Sequence, residues 1–453
     1  MKLQVLKYFT LLGVLALWQC EAKLDEFKPE NGSADFTTFV AIGDSYTSGY
    51  TDGALSNAGQ KNGFSAILAH QLSTTENYYD QPFIPEGMSV GGNGNGSYKL
   101  VVLNKSLVPF PTKGNPELLS DPSNWVNGQA PFNNIGVPGV KSFHLLAPEL
   151  GDYTLGEGAF NPFYTRFASV PGTSTMVSDA ILKNPTFFSL WVGGNDVLQY
   201  ALAGGNGVVG GTGINDITDE ATFTYSINKA LAELTSGKAK GVLGNIPDVK
   251  SLPYFNYIAY DGLELDAEKA AMLNAGYEQY NQMAEANGLP QMIFSEGRNA
   301  FVIADSSYPL HMRQIKEDEK VLLSASTGIL GEAGWGSKEP MPEDQVLSSE
   351  ELAAIKDATT RFNTIIAGAA SQYELPVADI NQLLIEAEKG LVIDGNLYTT
   401  VFVTGGIFSL DGIHTSGRGS AVITNRFIEK INKHYGATVP LVNVNDYPGV
   451  EFP

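Results

Sequence analysis

Cysteine occurs once in these 453 residues, at Cys20, so the chain can form no internal disulfide and no cysteine-rich zinc centre. Basic residues are also scarce. Lys and Arg number 28 against 49 Asp and Glu, and a net charge of -21 repels the phosphate backbone on which nucleic-acid affinity rests, so no nucleic-acid partner is expected. The same acidity serves solubility. Long apolar runs are missing too: Tyr8 to Trp18 is almost unbroken but falls short of the ~20 residues that cross a bilayer, and nothing downstream supplies them. No G-x-S-x-G string is present, which disfavours the strained nucleophile elbow of α/β-hydrolases. Neither of the glycine-rich stretches, 91–96 and 204–213, follows a strand or ends in Lys-Ser or Lys-Thr, so a phosphate loop is not expected. No acidic or histidine cluster has metal-ligand spacing, and no metal or cofactor is proposed. What the chain does hold is a 43% hydrophobic fraction with 20 Tyr, 23 Phe and 49 Gly, the composition of a folded, loop-rich globular protein.

Lys2 and Lys7 precede the apolar run that ends just before Cys20, the layout of a secretory signal. A cysteine at that position resembles the lipobox of bacterial lipoproteins, in which it becomes the lipidated first residue of the mature chain. Leu17 fits this pattern, whereas Trp18 and Gln19 stand where small residues are usual. The resemblance implies an exported lipoprotein of the cell envelope, at the outer membrane or cell surface, held to a membrane by a lipid on Cys20. Residues 21–35, with Pro29, Asn31, Gly32 and Ser33, read as a tether, and the body is expected to start near Phe36.

Within the body, buried-strand patterns alternate with helical ones. Phe39 to Ile42 is a continuous apolar run broken at Gly43, and Thr186 to Val192, Gly241 to Ile246 and Pro376 to Ile380 read alike. Helices are expected over 65–72, 219–236, 267–287, from the Ser348/Glu351 capping box through Ile366, and over 417–434. This alternation predicts one α/β domain over 36–453, its parallel sheet covered on both faces. The segments 77–132 and about 300–346 show no strand or helix period and read as insertions.

Acyl transfer requires a nucleophile, a base, a group that orients the base, and donors for the oxyanion. Ser45 follows the first strand through Gly43 and Asp44, at the strand end where open α/β sheets hold their sites. Histidine scarcity narrows the search for a base. Of His70, His144, His311, His414 and His434, His414 alone has an acid three residues before it, Asp411, in a loop leading into the last helix. That spacing lets a carboxylate fix the imidazole tautomer.

Taken together, Phe39 to Tyr46 (with Gly43-Asp44-Ser45), Asn134 to Gly139, Gly193-Gly194-Asn195-Asp196 and Asp411-Gly412-Ile413-His414 resemble the blocks of the SGNH hydrolases, the GDSL lipase and esterase family. Tyr46 stands where that family often has Leu. The resemblance implies a three-layer α/β/α sandwich with a flavodoxin-like sheet, a Ser45, Asp411, His414 triad, and an oxyanion hole made by the Ser45 amide, the Gly139 amide and the Asn195 side chain. Gly136 is the alternative glycine. Gly213 to Asp216 repeats the third block's short pattern but follows no strand. The expected activity is hydrolysis of carboxylic esters through an acyl-serine. Lipid or medium-chain substrates are favoured, because Tyr78, Tyr79, Phe83, Tyr98, Phe110 and Trp125 in the first insertion can wall an acyl site, with Phe160, Phe163, Tyr164 and Phe167 as a further cluster. The alternatives are a carbohydrate acetylesterase and a non-catalytic surface protein that binds a glycan or lipid.

Overall fold

Five short strands pair in one parallel sheet in this computed structural model, which describes residues 28–73, 79–103, 106–156 and 158–453. The expected signal with Cys20, the first part of the tether, and Tyr78 lie outside the described residues. The strands are β1 (Phe39–Gly43), β2 (Asn134–Gly136), β3 (Phe187–Trp191), β4 (Lys240–Gly244) and β5 (Val377–Ala378), in the spatial order β2-β1-β3-β4-β5. This 2-1-3-4-5 order is that of flavodoxin-like doubly wound sheets. All five residues of β1 and all five of β3 are buried, as a strand covered on both faces requires. Burying each Val, Leu, Ile or Phe of these runs contributes about 1.5–3 kcal/mol.

The helices form two layers. On one side α1 (Phe64–Leu72), α6 (Ile380–Lys389) and α7 (Gly417–Tyr435) pack together; on the other lie α2 (Met176–Leu182), α3 (Asn195–Leu202), α4 (Glu220–Leu234) and α5 (Ser349–Gln372). Right-handed crossovers account for the division, because the chain moves from β1 to β2 in one direction and from β3 to β5 in the other. The expected capping box forms: Ser348 Oγ accepts from Glu351 N at 3.2 Å, and Glu351 Oε2 from Ser348 N at 2.7 Å. Ser416 caps α7, and Gly436 ends it at φ +66.

Three expectations are corrected. The body is engaged before Phe36: Ser33 N donates to Tyr435 O at 2.8 Å, and Ala34 is buried, so the last tether residues belong to the fold. The segment 77–132 contains an antiparallel hairpin, Tyr98–Leu103 against Ser106–Pro111. Its strands lack a legible alternation because Val102, Leu107 and Phe110 are all exposed, leaving no clean apolar face. The third correction concerns the second insertion, which is part of a larger lobe.

That lobe runs from Leu263 to Leu347 and joins three antiparallel strand pairs around its own apolar clusters, one on Tyr280, Met292 and Phe294, another on Phe301, Val321 and Met341. The helix expected over 267–287 is two helices, Ala267–Gly276 and Glu278–Ala286, and they cover the lobe rather than the sheet. An amphipathic stripe announces a buried face without naming the core it meets. Arg313 ties the lobe together, its Nε 2.6 Å from Asp305 Oδ2 and its two terminal nitrogens paired with the fully buried Glu319 carboxylate at 2.7 and 2.8 Å.

Candidate active site

Strand register decides which loops meet. Gly43, the last residue of β1, lies beside Gly136 of β2 on one edge and Trp191 of β3 on the other, so the chain leaves all three strands at one level. Ser45 emerges at the centre, flanked by the Gly139 loop and by Asn195, where the crossovers diverge. Gly43 permits this close spacing: a Cβ there would stand 2.1 Å from Trp191 O. Asp44 then caps the short helical turn Ser45–Ser48, its Oδ1 accepting from Tyr46 N at 3.1 Å.

At the opposite end of the chain, Asp411 Oδ2 lies 2.8 Å from His414 Nδ1. Because a carboxylate accepts there, Nδ1 carries the proton and Nε2 is left as the acceptor, the tautomer that a general base needs. Asp411 Oδ1 also accepts from His414 N at 2.8 Å, Ile413 N at 2.9 Å and Ser409 Oγ at 3.2 Å, and Oδ2 accepts from Gly53 N at 2.8 Å. Burial alone would raise this carboxyl, but His414 and the two local amides outweigh it and hold Asp411 below the usual carboxylate range. Both side chains are largely buried, at 9% exposure for Asp411 and 12% for His414.

Cross-chain contacts bring the two ends together. Tyr46 Oη donates to Ile413 O at 2.7 Å, Thr51 Oγ1 to Thr415 O at 2.9 Å, Leu410 N to Asp52 Oδ1 at 2.9 Å and Asp52 N to Ser409 Oγ at 3.0 Å. The rings of Tyr46 and Tyr50 lie 5.5 and 4.7 Å from the His414 ring, and Tyr46 stacks on Trp191 at 4.7 Å. Ser45 is 7% exposed, and its hydroxyl has no hydrogen bond among the described residues.

The groups expected as oxyanion donors differ in what they already bond. The Ser45 and Gly139 amides have no acceptor among the described residues, whereas the Gly136 amide is engaged by Asn134 Oδ1 at 2.8 Å. The free donor of the two glycines is therefore Gly139. It sits at φ +80 with open space where a Cβ would be, so backbone conformation alone demands glycine. Asn195 opens α3 and is buried; its Nδ2 donates to Val140 O at 2.9 Å and its Oδ1 accepts from Gln199 Nε2 at 3.1 Å, which orients the amide and leaves one N–H unused. Asp196 accepts from Ser142 N and Oγ at 2.8 and 2.7 Å, joining α3 to the Gly139 loop. Burial pushes Asp196 up to about 6 and Asp44 up to about 7.

Other sequence candidates fall away from this cluster. Asp216 of the repeated block accepts from Val208 N and Gly213 N in a loop that wraps Lys141, whose Nζ donates to the Gly213 and Asp216 carbonyls. His144 Nδ1 accepts from Lys141 N, and burial pushes its pKa down to about 4. The expected aromatic wall is mostly built elsewhere: Tyr79 stacks on Phe39, Trp125 meets Tyr153 and Phe167 meets Phe132 edge to face, Tyr164 donates to Asp179, and Phe110 is exposed. Of the aromatics counted from sequence, Tyr98 approaches the acid, its backbone bonded to Asp52 O at 2.7 Å, and Phe163 meets Tyr50, the neighbour of His414, edge to face at 6.2 Å. Tyr50, Asp52, Gly53 and Ser409 carried no sequence signal, and Tyr46 carried one only as a departure from the usual Leu. Among the described residues no group of three or more His, Cys, Asp or Glu could hold a metal ion, and no helix is long and apolar enough to cross a membrane.

No family model matches this chain, and no curated protein matches it. Among solved structures, an alpha/beta hydrolase enzyme from the metagenome of Lake Arreo, Spain, aligns over 87% of this chain and 94% of its own at 10% identity and a TM-score of 0.33.

Proposed function

We propose that this chain hydrolyses carboxylic esters through an acyl-serine, as a serine esterase or lipase of the SGNH type. The observation that carries the reading is the buried Asp411–His414 pair, bonded at 2.8 Å and tied by Tyr46, Thr51, Asp52 and Gly53 to the segment that bears Ser45. Ser45 Oγ attacks the ester carbonyl as its proton passes to His414 Nε2. The tetrahedral oxyanion is held by the Ser45 and Gly139 amides and the remaining Asn195 N–H. His414 then gives the proton to the alcohol oxygen as the C–O bond breaks, and a water repeats the sequence to release the acid. Asp411 fixes the tautomer and stabilises the imidazolium. A glycan- or lipid-binding protein without turnover has no need of this arrangement.

On the acyl side, lipid or medium-chain esters and acetylated carbohydrates are the two readings. Much of the aromatic load that favoured longer chains packs into the body, whereas Phe163 meets Tyr50 beside His414, so a p-nitrophenyl ester series from acetate to palmitate decides between them. The test of the reaction itself is covalent: a fluorophosphonate labels Ser45, and Ser45→Ala abolishes both labelling and hydrolysis. Unchanged hydrolysis by a pure Ser45→Ala protein overturns the proposal. Export as a lipoprotein is proposed from the sequence alone; Cys20→Ser releases the protein from membranes, and retention of that variant refutes lipidation at Cys20.

A further inference from the structure

We propose that the hairpin of Tyr98–Leu103 and Ser106–Pro111 is a docking element for a lipid bilayer that carries anionic headgroups. Such docking goes beyond the acyl-serine reading and does not depend on it.

Both faces of this hairpin carry apolar side chains. Pairing sets Val102 beside Leu107 and Leu100 beside Pro109 on one face, and Val101 beside Val108 and Lys99 beside Phe110 on the other. An antiparallel pair at a protein surface ordinarily buries one face and turns a polar one to water. Here Leu100 is buried, but Val102 is 65% exposed, Phe110 58% and Leu107 40%, so apolar groups meet solvent on both faces. An exposed apolar surface of this kind marks a contact with something itself apolar.

Charge then selects the occupant. Residues 87–116 contain no Asp or Glu, in a chain that has 49 of them, and carry three lysines, Lys99, Lys105 and Lys113. Lys99 and Lys113 are exposed. With a net charge of -21 the chain as a whole is repelled by an anionic membrane, so approach is favoured through this cationic stretch. Apolar side chains interleaved with lysines seat in the boundary between headgroups and acyl chains, the stems in the apolar layer and the ammonium groups among the phosphates. A strand from a partner protein fits less well. No third strand pairs with the hairpin among the described residues, and Pro109 and Pro111 have no N–H to offer one, which blunts strand addition.

The root of the hairpin adjoins the segment that holds Asp411. Tyr98 N donates to Asp52 O at 2.7 Å, and Gly53 N, one residue on, donates to Asp411 Oδ2 at 2.8 Å. Docking through the hairpin therefore turns this end of the fold towards the bilayer.

The single cysteine makes a site-specific test possible. In the full chain carrying Cys20→Ser, Val102→Cys is labelled with nitrobenzoxadiazole, and Leu330→Cys, at an exposed position of the lobe, serves as the control. With vesicles of equimolar phosphatidylglycerol and phosphatidylcholine, the probe at position 102 should brighten and shift to the blue, and the probe at position 330 should not. Phosphatidylcholine alone should give a markedly weaker response. Each lysine near an anionic surface contributes about fivefold in affinity, so Lys99→Gln/Lys113→Gln should weaken vesicle binding by roughly 25-fold, and added salt should weaken binding of the parent. Ser45→Ala should bind as its parent does, which separates failure here from failure of the acyl-serine reading. A silent probe at position 102, an equal response at position 330, or equal responses to neutral and anionic vesicles overturns the proposal. A blue shift that grows with protein concentration in the absence of vesicles also overturns it, assigning the face to a second copy of this chain.

Discussion

Replacing Asp411 by Asn keeps the side chain's shape and removes its charge and its ability to accept from every direction. Five donors converge on this carboxylate: His414 Nδ1, His414 N, Ile413 N, Ser409 Oγ and Gly53 N. The amide NH₂ of Asn must face one set of them. At the Oδ1 position it meets three, two of them rigid backbone amides. At the Oδ2 position it meets only Gly53 N–H and a ring nitrogen that can shift its proton, so the NH₂ should settle there. His414 then accepts at Nδ1 and carries its proton on Nε2, where it can no longer take one from Ser45. For a triad with the wrong tautomer the expected loss is about 10⁴ in kcat, roughly 5.4 kcal/mol of barrier, with KM little changed. The Gly53 amide left facing a donor costs a further ~1–3 kcal/mol of folding stability. Burst kinetics with p-nitrophenyl acetate read the first effect, and urea unfolding reads the second. A folded Asn variant whose kcat stays within about tenfold of the wild type would refute the assignment of Asp411 as the group that sets the tautomer.

Asn195→Ala removes one proposed oxyanion donor and should lower kcat by about 10²–10³; an equal kcat with raised KM would place Asn195 in ground-state binding instead. In the folded protein Asp44 holds its proton to about pH 7, against an ordinary 3.8, so between those values the folded state carries the extra proton and stability falls as pH rises. The urea midpoint should therefore be higher at pH 5 than at pH 7.5, and Asp44→Asn should narrow the gap; Asp196 and Asp52 act with the same sign, so an undiminished gap would assign it to them instead of Asp44. Arg313→Ala strands the buried Glu319 and should destabilise the lobe by about 3–5 kcal/mol, visible as a separate early unfolding phase; no change would mean that the triad adds nothing to the lobe's stability.

Those parts of the site that are local in sequence are legible in the string of residues itself. β1 announces itself as an apolar run ended by Gly43, and Asp411 reaches His414 because they stand three positions apart in one loop. The capping box at Ser348 is likewise a four-residue statement. Contacts between distant segments leave no such trace: nothing in the string marks Gly53 as a donor to Asp411 or Tyr50 as a neighbour of His414. Aromatic counting misleads for the same reason, since Tyr79 and Phe167 carry the composition expected of a pocket wall but pack against Phe39 and Phe132. Helical period also overreaches at 267–286, where the buried stripe meets a core that the α/β alternation does not foresee.

The bond from Gly53 to Asp411 joins residues 358 positions apart. At a synthesis rate of about 5–20 residues per second, roughly 20–70 s pass between the appearance of one partner and the other on the ribosome. Throughout that interval the triad proposed above is incomplete, and Ser45 lacks the base assigned to it. Under the export and ester hydrolysis proposed above, a polypeptide translocated before its last helix docks would travel as a latent chain, unable to attack the esters of the cell that made it, and its reactivity would begin only where folding is completed.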